Sequence, residues 1–271
     1  MLFNITRPIA VVALALCAAL PARAQSVADI LSAELLPGWA TDSGSHMAAI
    51  RLKLSPGWKT YWRSPGDAGI PPDFNWSGSD NIRALRLHWP SPQVFQFNGM
   101  QTIGYARELV LPVEIWPEQA DRPMRLETSV ELGVCRDICV PASVTLSSDL
   151  RVNAKPDNPA IRAALKARPA TAREAGVRAH HCTVQAAPGG LRLRAELDMP
   201  ALGPDEVVVI ETADPTVWVA EATTRREGRR LVADTELVSH DRQPVALDRG
   251  QLTISVLAQG RAVEISGCPA P

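Results

Sequence analysis

The sequence predicts an all-β protein, built as two β-sandwich domains joined by a linker that carries a short helix. Three observations predict it. Short segments alternate apolar and polar residues through most of the chain. Pro- and Gly-rich turns such as Ser64-Pro-Gly-Asp-Ala-Gly-Ile-Pro-Pro72 separate them, and a helical pattern is confined to one stretch near the middle. The 271 residues suit two domains of ordinary size once a leader is removed. A formal net charge of -1 gives no electrostatic case for nucleic acid or an anionic membrane surface, so nucleic acid is not an expected partner.

Residues 1–25 read as an export signal. Arg7 supplies positive charge, Ile9 to Leu20 is an apolar run of h-region length, and Ala22-Arg23-Ala24 is a small-x-small site that places cleavage near Ala24. Cys17 follows Leu16, where a lipoprotein site wants a small residue, so Cys17 leaves with the signal. No later segment is apolar for long enough to cross a bilayer as a helix.

Residues 26–152 form the first predicted domain. Its strands include Met47 to Leu54, Ile82 to Trp89, Leu109 to Ile115, Met124 to Leu132 and Val144 to Leu150. Pro112 assigns its strand to an edge or a bulge, because proline donates nothing to a ladder. Residues 153–175 form the linker. Asn158 before Pro159 makes an N-cap and first helical position, and Ile161 to Ala167 gives two turns before Pro169 ends them. Residues 176–271 return to strands at Leu191 to Leu197, Glu206 to Ile210, Val217 to Ala220, Arg230 to Ala233, Gln251 to Leu257 and Ala262 to Ile265, which make a second sandwich.

Four cysteines remain after the signal. Cys135 and Cys139 have three residues between them. In one straight strand their Cα atoms would stand roughly 13 Å apart, beyond the ~7 Å limit of a disulfide. Two strands joined by a tight turn at Arg136-Asp137-Ile138 bring the sulfurs face to face; a short helical turn would also bring them close, but Pro141 and the β-branched neighbours leave it little room. Proximity pairs Cys135 with Cys139 and leaves Cys182 to pair with Cys268 as a structural disulfide. The second bridge closes a loop of roughly 85 residues, worth on the order of 4 kcal/mol in the chain-entropy model. The first closes almost no loop and is a poor staple, which suits redox or metal chemistry better.

Six of the seven tryptophans, both tyrosines and three of the four phenylalanines lie between Trp39 and Trp116. Part of that excess falls in Gly57 to Arg63 and in Phe95 to Gly99. These aromatics either pack the sandwich or shield the cysteine pair, and Phe97 beside Gly99 is the expected shield.

The ordered set Gly57-Trp-Lys-Thr-Tyr-Trp-Arg-Ser-Pro-Gly-Asp67, Trp89-Pro-Ser-Pro92, Phe97-Asn-Gly99, Tyr105 with Leu111-Pro-Val113, and Val134-Cys-Arg-Asp-Ile-Cys-Val-Pro141 resembles the N-terminal periplasmic domain of the DsbD and ScsB disulfide reductases. The resemblance implies an immunoglobulin-like sandwich over residues 26–152 in the periplasm. On the ScsB side, which also has the shorter cysteine spacing, a second immunoglobulin-like unit follows. It implies that Cys135 and Cys139 are the catalytic redox pair and that Cys139 forms mixed disulfides. Phe97 would be the cap phenylalanine, with Phe95, Tyr61 and Trp62 in the shield. The expected donor is a membrane-embedded carrier of the DsbD, ScsB or CcdA type, or a thioredoxin-like protein. The expected substrates are periplasmic proteins that contain disulfides, in settings such as cytochrome c assembly or copper tolerance. The sequence contains neither the family's membrane-spanning carrier nor its thioredoxin-like domain, so the electrons are expected from a separate protein.

Two other classes stay open at this stage: a binding module with permanent disulfides, and a copper-handling protein using thiolates with His180-His181-Cys182. Adjacent histidines in a strand point to opposite faces, so these two read as strand or surface residues. His46, His88 and His240 are scattered, and the sequence has no phosphate loop or dinucleotide fingerprint. No cofactor and no resident metal is expected.

Overall fold

The computed structural model describes residues 26–97, 99–151, 158–239 and 244–271. The expected signal peptide, the part of the linker before Asn158, and His240 lie outside the described residues.

The first half begins with a single helical turn, α1 (Val27–Ile30), and continues through β1 (Leu31–Ala40), β2 (His46–Leu54), β3 (Lys59–Tyr61), β4 (Asp73–Asn75) and β5 (Ile82–Leu87). Then come β6 (Gln93–Phe97), β7 (Met100–Ala106), β8 (Glu108–Pro117), β9 (Met124–Cys135) and β10 (Cys139–Leu150). They form two antiparallel sheets. One runs β1-β2-β8-β5; the other runs β10-β9-β3-β7-β6, with β4 also on β9. Alternation decides what each strand buries. Leu126, Val130, Leu132 and Val134 of β9 meet Ile50, Leu52, Val113 and Ile115 of the opposite sheet in one core. The intervening residues of β9, from Glu127 to Cys135, take the outer face.

Pro112 does not put β8 at an edge, because β8 lies between β2 and β5. The reason is local. The Pro112 carbonyl accepts from the His88 backbone N–H, just past the end of β5 at Leu87. Carbonyl and missing N–H point to the same side, so the absent donor faces His88, past the end of the β5 ladder, and not β2.

The linker helix, α2 (Pro159–Lys166), starts where Asn158 accepts hydrogen bonds from the backbone N–H groups of Ala160 and Ile161. Its buried Ile161 packs on Leu36, Met47 and Ala49.

The second half contains β11 (Ala170–Thr171), β12 (Ala179–Ala187), β13 (Gly190–Asp198), β14 (Val207–Glu211) and β15 (Val217–Val219). It ends with β16 (Thr223–Glu227), β17 (Arg230–Ser239), β18 (Thr253–Ala258) and β19 (Arg261–Ser266). One sheet runs β11-β19-β18-β14, the other β12-β13-β17-β15 with β16 also on β17. Together the two halves make an all-β structure of two immunoglobulin-like sandwiches.

In the sheet of β14, β18 and β19 both faces are covered. Val208, Ile254, Val256, Val263 and Ile265 face their own core, while Leu257 and Ala262 join the core of the first sandwich, with Val207 and Val209 packed against it. Register puts Val209 beside Ser255 and Glu264 on that second face, and Glu211 two residues along from Val209.

Candidate functional site

Strands β9 and β10 form one hairpin whose last cross-strand pair is Cys135 with Cys139. Three residues close it, with the Arg136 N–H donating to the Ile138 carbonyl. The two cysteines form a disulfide with their Cα atoms 4.1 Å apart. Their surroundings differ sharply. Cys135 is 2% exposed, whereas Cys139 is exposed on the edge strand.

The outer face of β3 supplies the neighbours. Lys59 is paired directly with Cys135, and Tyr61 lies two residues along on the same face. The Tyr61 phenol donates to Cys135 Sγ at 3.0 Å and lies 3.4 Å from Cys139 Sγ. Burial pushes this phenol above its usual pKa, so it keeps its proton. Gly133 makes the contact possible: a Cβ there would sit 3.1 Å from Tyr61 Cε2 and 3.1 Å from Ile70 Cβ.

Lys59 reaches away from the sulfurs. Its ammonium donates to Thr102 Oγ1 at 2.9 Å and lies 5.0 Å from the centre of the Phe95 ring, and burial lowers its pKa. Arg136 folds back over Trp58, 5.2 Å from the ring centre, and donates to Asp137 at 2.9 Å. Its charge is therefore balanced beside the pair. Ile138, at the tip of the turn, is 69% exposed.

The residues named as a shield separate into different places. Tyr61 touches both sulfurs, and Phe95 lies under the Lys59 ammonium. Trp62 is not part of a shield: the residue after Tyr61 turns to the other face and is fully buried in the first core. Trp58, Trp89 and Tyr105 also belong to that core, which accounts for much of the aromatic excess. Phe97 ends β6 opposite Met100; its side chain lies outside the described residues. Sequence reasoning missed Lys59, Ile70 and Gly133. A lone glycine inside an alternating strand was the available signal, since it marks a close approach.

Cys182 and Cys268 form the other disulfide, with Cα atoms 5.5 Å apart and both residues buried. Cys182 N–H donates to the Pro269 carbonyl and Cys268 N–H to the Arg249 carbonyl, which ties the end of the chain to β12. His180 and His181 lie on β12, and His181 stands 3.6 Å from Glu196.

Residues 32–150 match the family model described as "Thiol:disulfide interchange protein DsbD, N-terminal". Among solved structures, the chain is similar to the N-terminal periplasmic domain of ScsB from Proteus mirabilis, with 23% identity and a TM-score of 0.63, over 89% of this chain and 94% of that one. A protein of unknown function from Porphyromonas gingivalis W83 is 14% identical with a TM-score of 0.21, over 87% and 99% of the two chains. No curated protein matches the chain. The ScsB likeness covers both sandwiches and shows a common fold. Residues 32–150, which hold Tyr61 and the cysteine hairpin, match the DsbD N-terminal domain family, and that match supports a thiol:disulfide interchange domain.

Proposed function

We propose that the chain is a periplasmic protein-disulfide reductase that passes two electrons through Cys135 and Cys139 to exported proteins. The observation that carries this reading is the unequal burial of the two cysteines beside one phenol. A large partner reaches Cys139 and not Cys135.

In the reduced state the Cys139 thiolate attacks a substrate disulfide. The substrate S–S bond breaks, one substrate sulfur bonds to Cys139, and the other leaves as a thiolate that takes up a proton. Cys135, as thiolate, then attacks Cys139 Sγ, the mixed disulfide breaks, and the substrate departs as a dithiol. Two electrons have moved, and the pair is again a disulfide. Re-reduction runs the same chemistry in reverse. A donor dithiol, from a membrane-embedded carrier of the DsbD, ScsB or CcdA type or from a thioredoxin-like protein, attacks Cys139, and Cys135 leaves as the thiolate. Tyr61, 3.0 Å from Cys135 Sγ, supplies a proton donor to that leaving sulfur. Phe95, and Phe97 beside it in sequence, act as the cap over the pair.

The test is the reduction potential. The mature protein is equilibrated in glutathione buffers, and free Cys135 and Cys139 are quantified by alkylation and mass spectrometry. The expected value lies between roughly -180 and -270 mV. A pair that stays oxidised well below about -300 mV marks a permanent staple and would overturn the reading. A second arm uses Cys135→Ser, which is expected to trap a substrate as a mixed disulfide on Cys139.

A further inference from the structure

We infer that the second sandwich is a positioning element for the cysteine pair, acting through residues 61–70, with Arg63, Glu211 and Glu264 as the positioning residues. The inference rests on the exchange chemistry proposed above and assigns a task to the half of the chain without redox cysteines.

Three consecutive residues go three ways. Tyr61 reaches the sulfurs, Trp62 enters the first core, and Arg63 crosses to the second sandwich. There its Nε and Nη2 donate to the two oxygens of Glu211, each at 2.9 Å, and Nη2 also donates to Glu264 at 2.7 Å. The guanidinium lies 4.4 Å from the centre of the Trp62 ring. A fork bonded to one carboxylate, backed by a second and stacked on an indole, has little angular freedom. All three charged side chains are partly buried, so salt screens them less than an open surface pair.

A second tether lies four residues on. The Asp67 N–H donates to Glu221 at 3.3 Å. Gly66 has φ +81°, which disfavours any side chain, and a Cβ would come within 2.8 Å of the same Glu221 oxygen and 3.1 Å of the Gln101 carbonyl. The segment then returns to the cysteine strand, where Ile70 and the Tyr61 ring both lie against Gly133. One short stretch of chain is thus fastened twice to the second sandwich, and both its ends rest on the strand that leads to Cys135.

The consequence is specific. Glu211 and Glu264 touch neither sulfur, yet they fix Arg63, the residue two positions after the phenol of Tyr61. Loosening them lets the phenol leave Cys135.

The experiment compares the full mature chain with Glu211→Gln/Glu264→Gln, with Tyr61→Phe and with the triple variant. The readouts are the rate of reaction of the oxidised pair with glutathione and the reduction potential, with thermal melting recorded alongside. The double variant is expected to slow the reaction about fivefold, the value of one hydrogen bond, and Tyr61→Phe by the same factor. The triple variant should be no slower than Tyr61→Phe alone. If the double variant does not fold, Glu264→Gln alone keeps the two-pronged Glu211 contact and is expected to give a smaller slowing. Wild-type rates in the carboxylate variants, with only the melting temperature lowered, would reduce the clamp to glue between sandwiches and overturn the inference. Slowing that multiplies in the triple variant would also overturn it, because the clamp would then act by a route other than Tyr61. A wild-type pair inert to glutathione would instead sink the exchange chemistry itself.

Discussion

Tyr61 occupies its place because position 133 has no side chain. Gly133→Ala puts a methyl 3.1 Å from both the Tyr61 ring and Ile70, closer than ordinary contact, so one of them must move. The expected result is faster alkylation of Cys135 after reduction and a several-fold slower reaction of the disulfide with glutathione, on the scale of about one lost hydrogen bond. Unchanged rates would mean that the ring has room to adjust without losing the sulfur. A different residue sets a pH dependence. His46 is 1% exposed; its Nε2 meets the Pro37 carbonyl, and its Nδ1 has no hydrogen-bond partner among the described residues. Burial lowers its pKa in the folded protein, while the unfolded chain protonates near about 6.5. The unfolded state therefore binds more protons as the pH falls below that value, and stability falls with it until the folded pKa is passed. Melting temperatures measured across this range should drop on acidification, and His46→Gln should flatten that part of the profile.

The hairpin of β9 and β10 was legible in the sequence because Met124 to Leu132 alternates cleanly and the three residues from Arg136 to Ile138 leave room only for a turn. The helix α2 was legible for an equally local reason: Asn158 and Pro159 are start signals. Asn158→Ala removes the acceptor of two backbone N–H groups and is expected to cost about 1 kcal/mol, read as a lower denaturant midpoint with an unchanged slope. Other elements were not legible, because what decides them lies far away in sequence. Pro112 seemed to forbid an interior strand until β5 was seen to stop one residue short of it. Trp62 looked like a neighbour of Tyr61, but adjacent residues on a strand serve opposite faces. The run from Val207 to Ile210 carries apolar residues without alternation, which signals burial on both faces. The partner for the second face lies more than a hundred residues earlier, and no local pattern names it.

At the scale of the molecule the two disulfides divide the work. Cys139 is open to solvent, whereas Cys182 and Cys268 are both buried, so a thiol buffer meets them unequally. Mild glutathione is expected to open the bridge of Cys135 and leave that of Cys182 intact, as followed by differential alkylation. The Cys182→Ala/Cys268→Ala variant should lose on the order of 4 kcal/mol, since the bridge closes a loop with a sequence separation of 86. Equal opening of both bridges would argue against one exchangeable and one permanent bond.

Leu257 and Ala262 belong to the first core although they are carried by the second sandwich. The boundary between the halves is therefore a boundary in sequence but not in solvent. Residues 26–151 produced alone would keep the cysteine hairpin and present to water the apolar patch that Val207, Val209, Leu257 and Ala262 normally cover. Such a patch seeks another surface. The fragment is expected to self-associate, eluting from a sizing column ahead of its monomer mass, and to stay soluble only when polar residues replace its side of that contact.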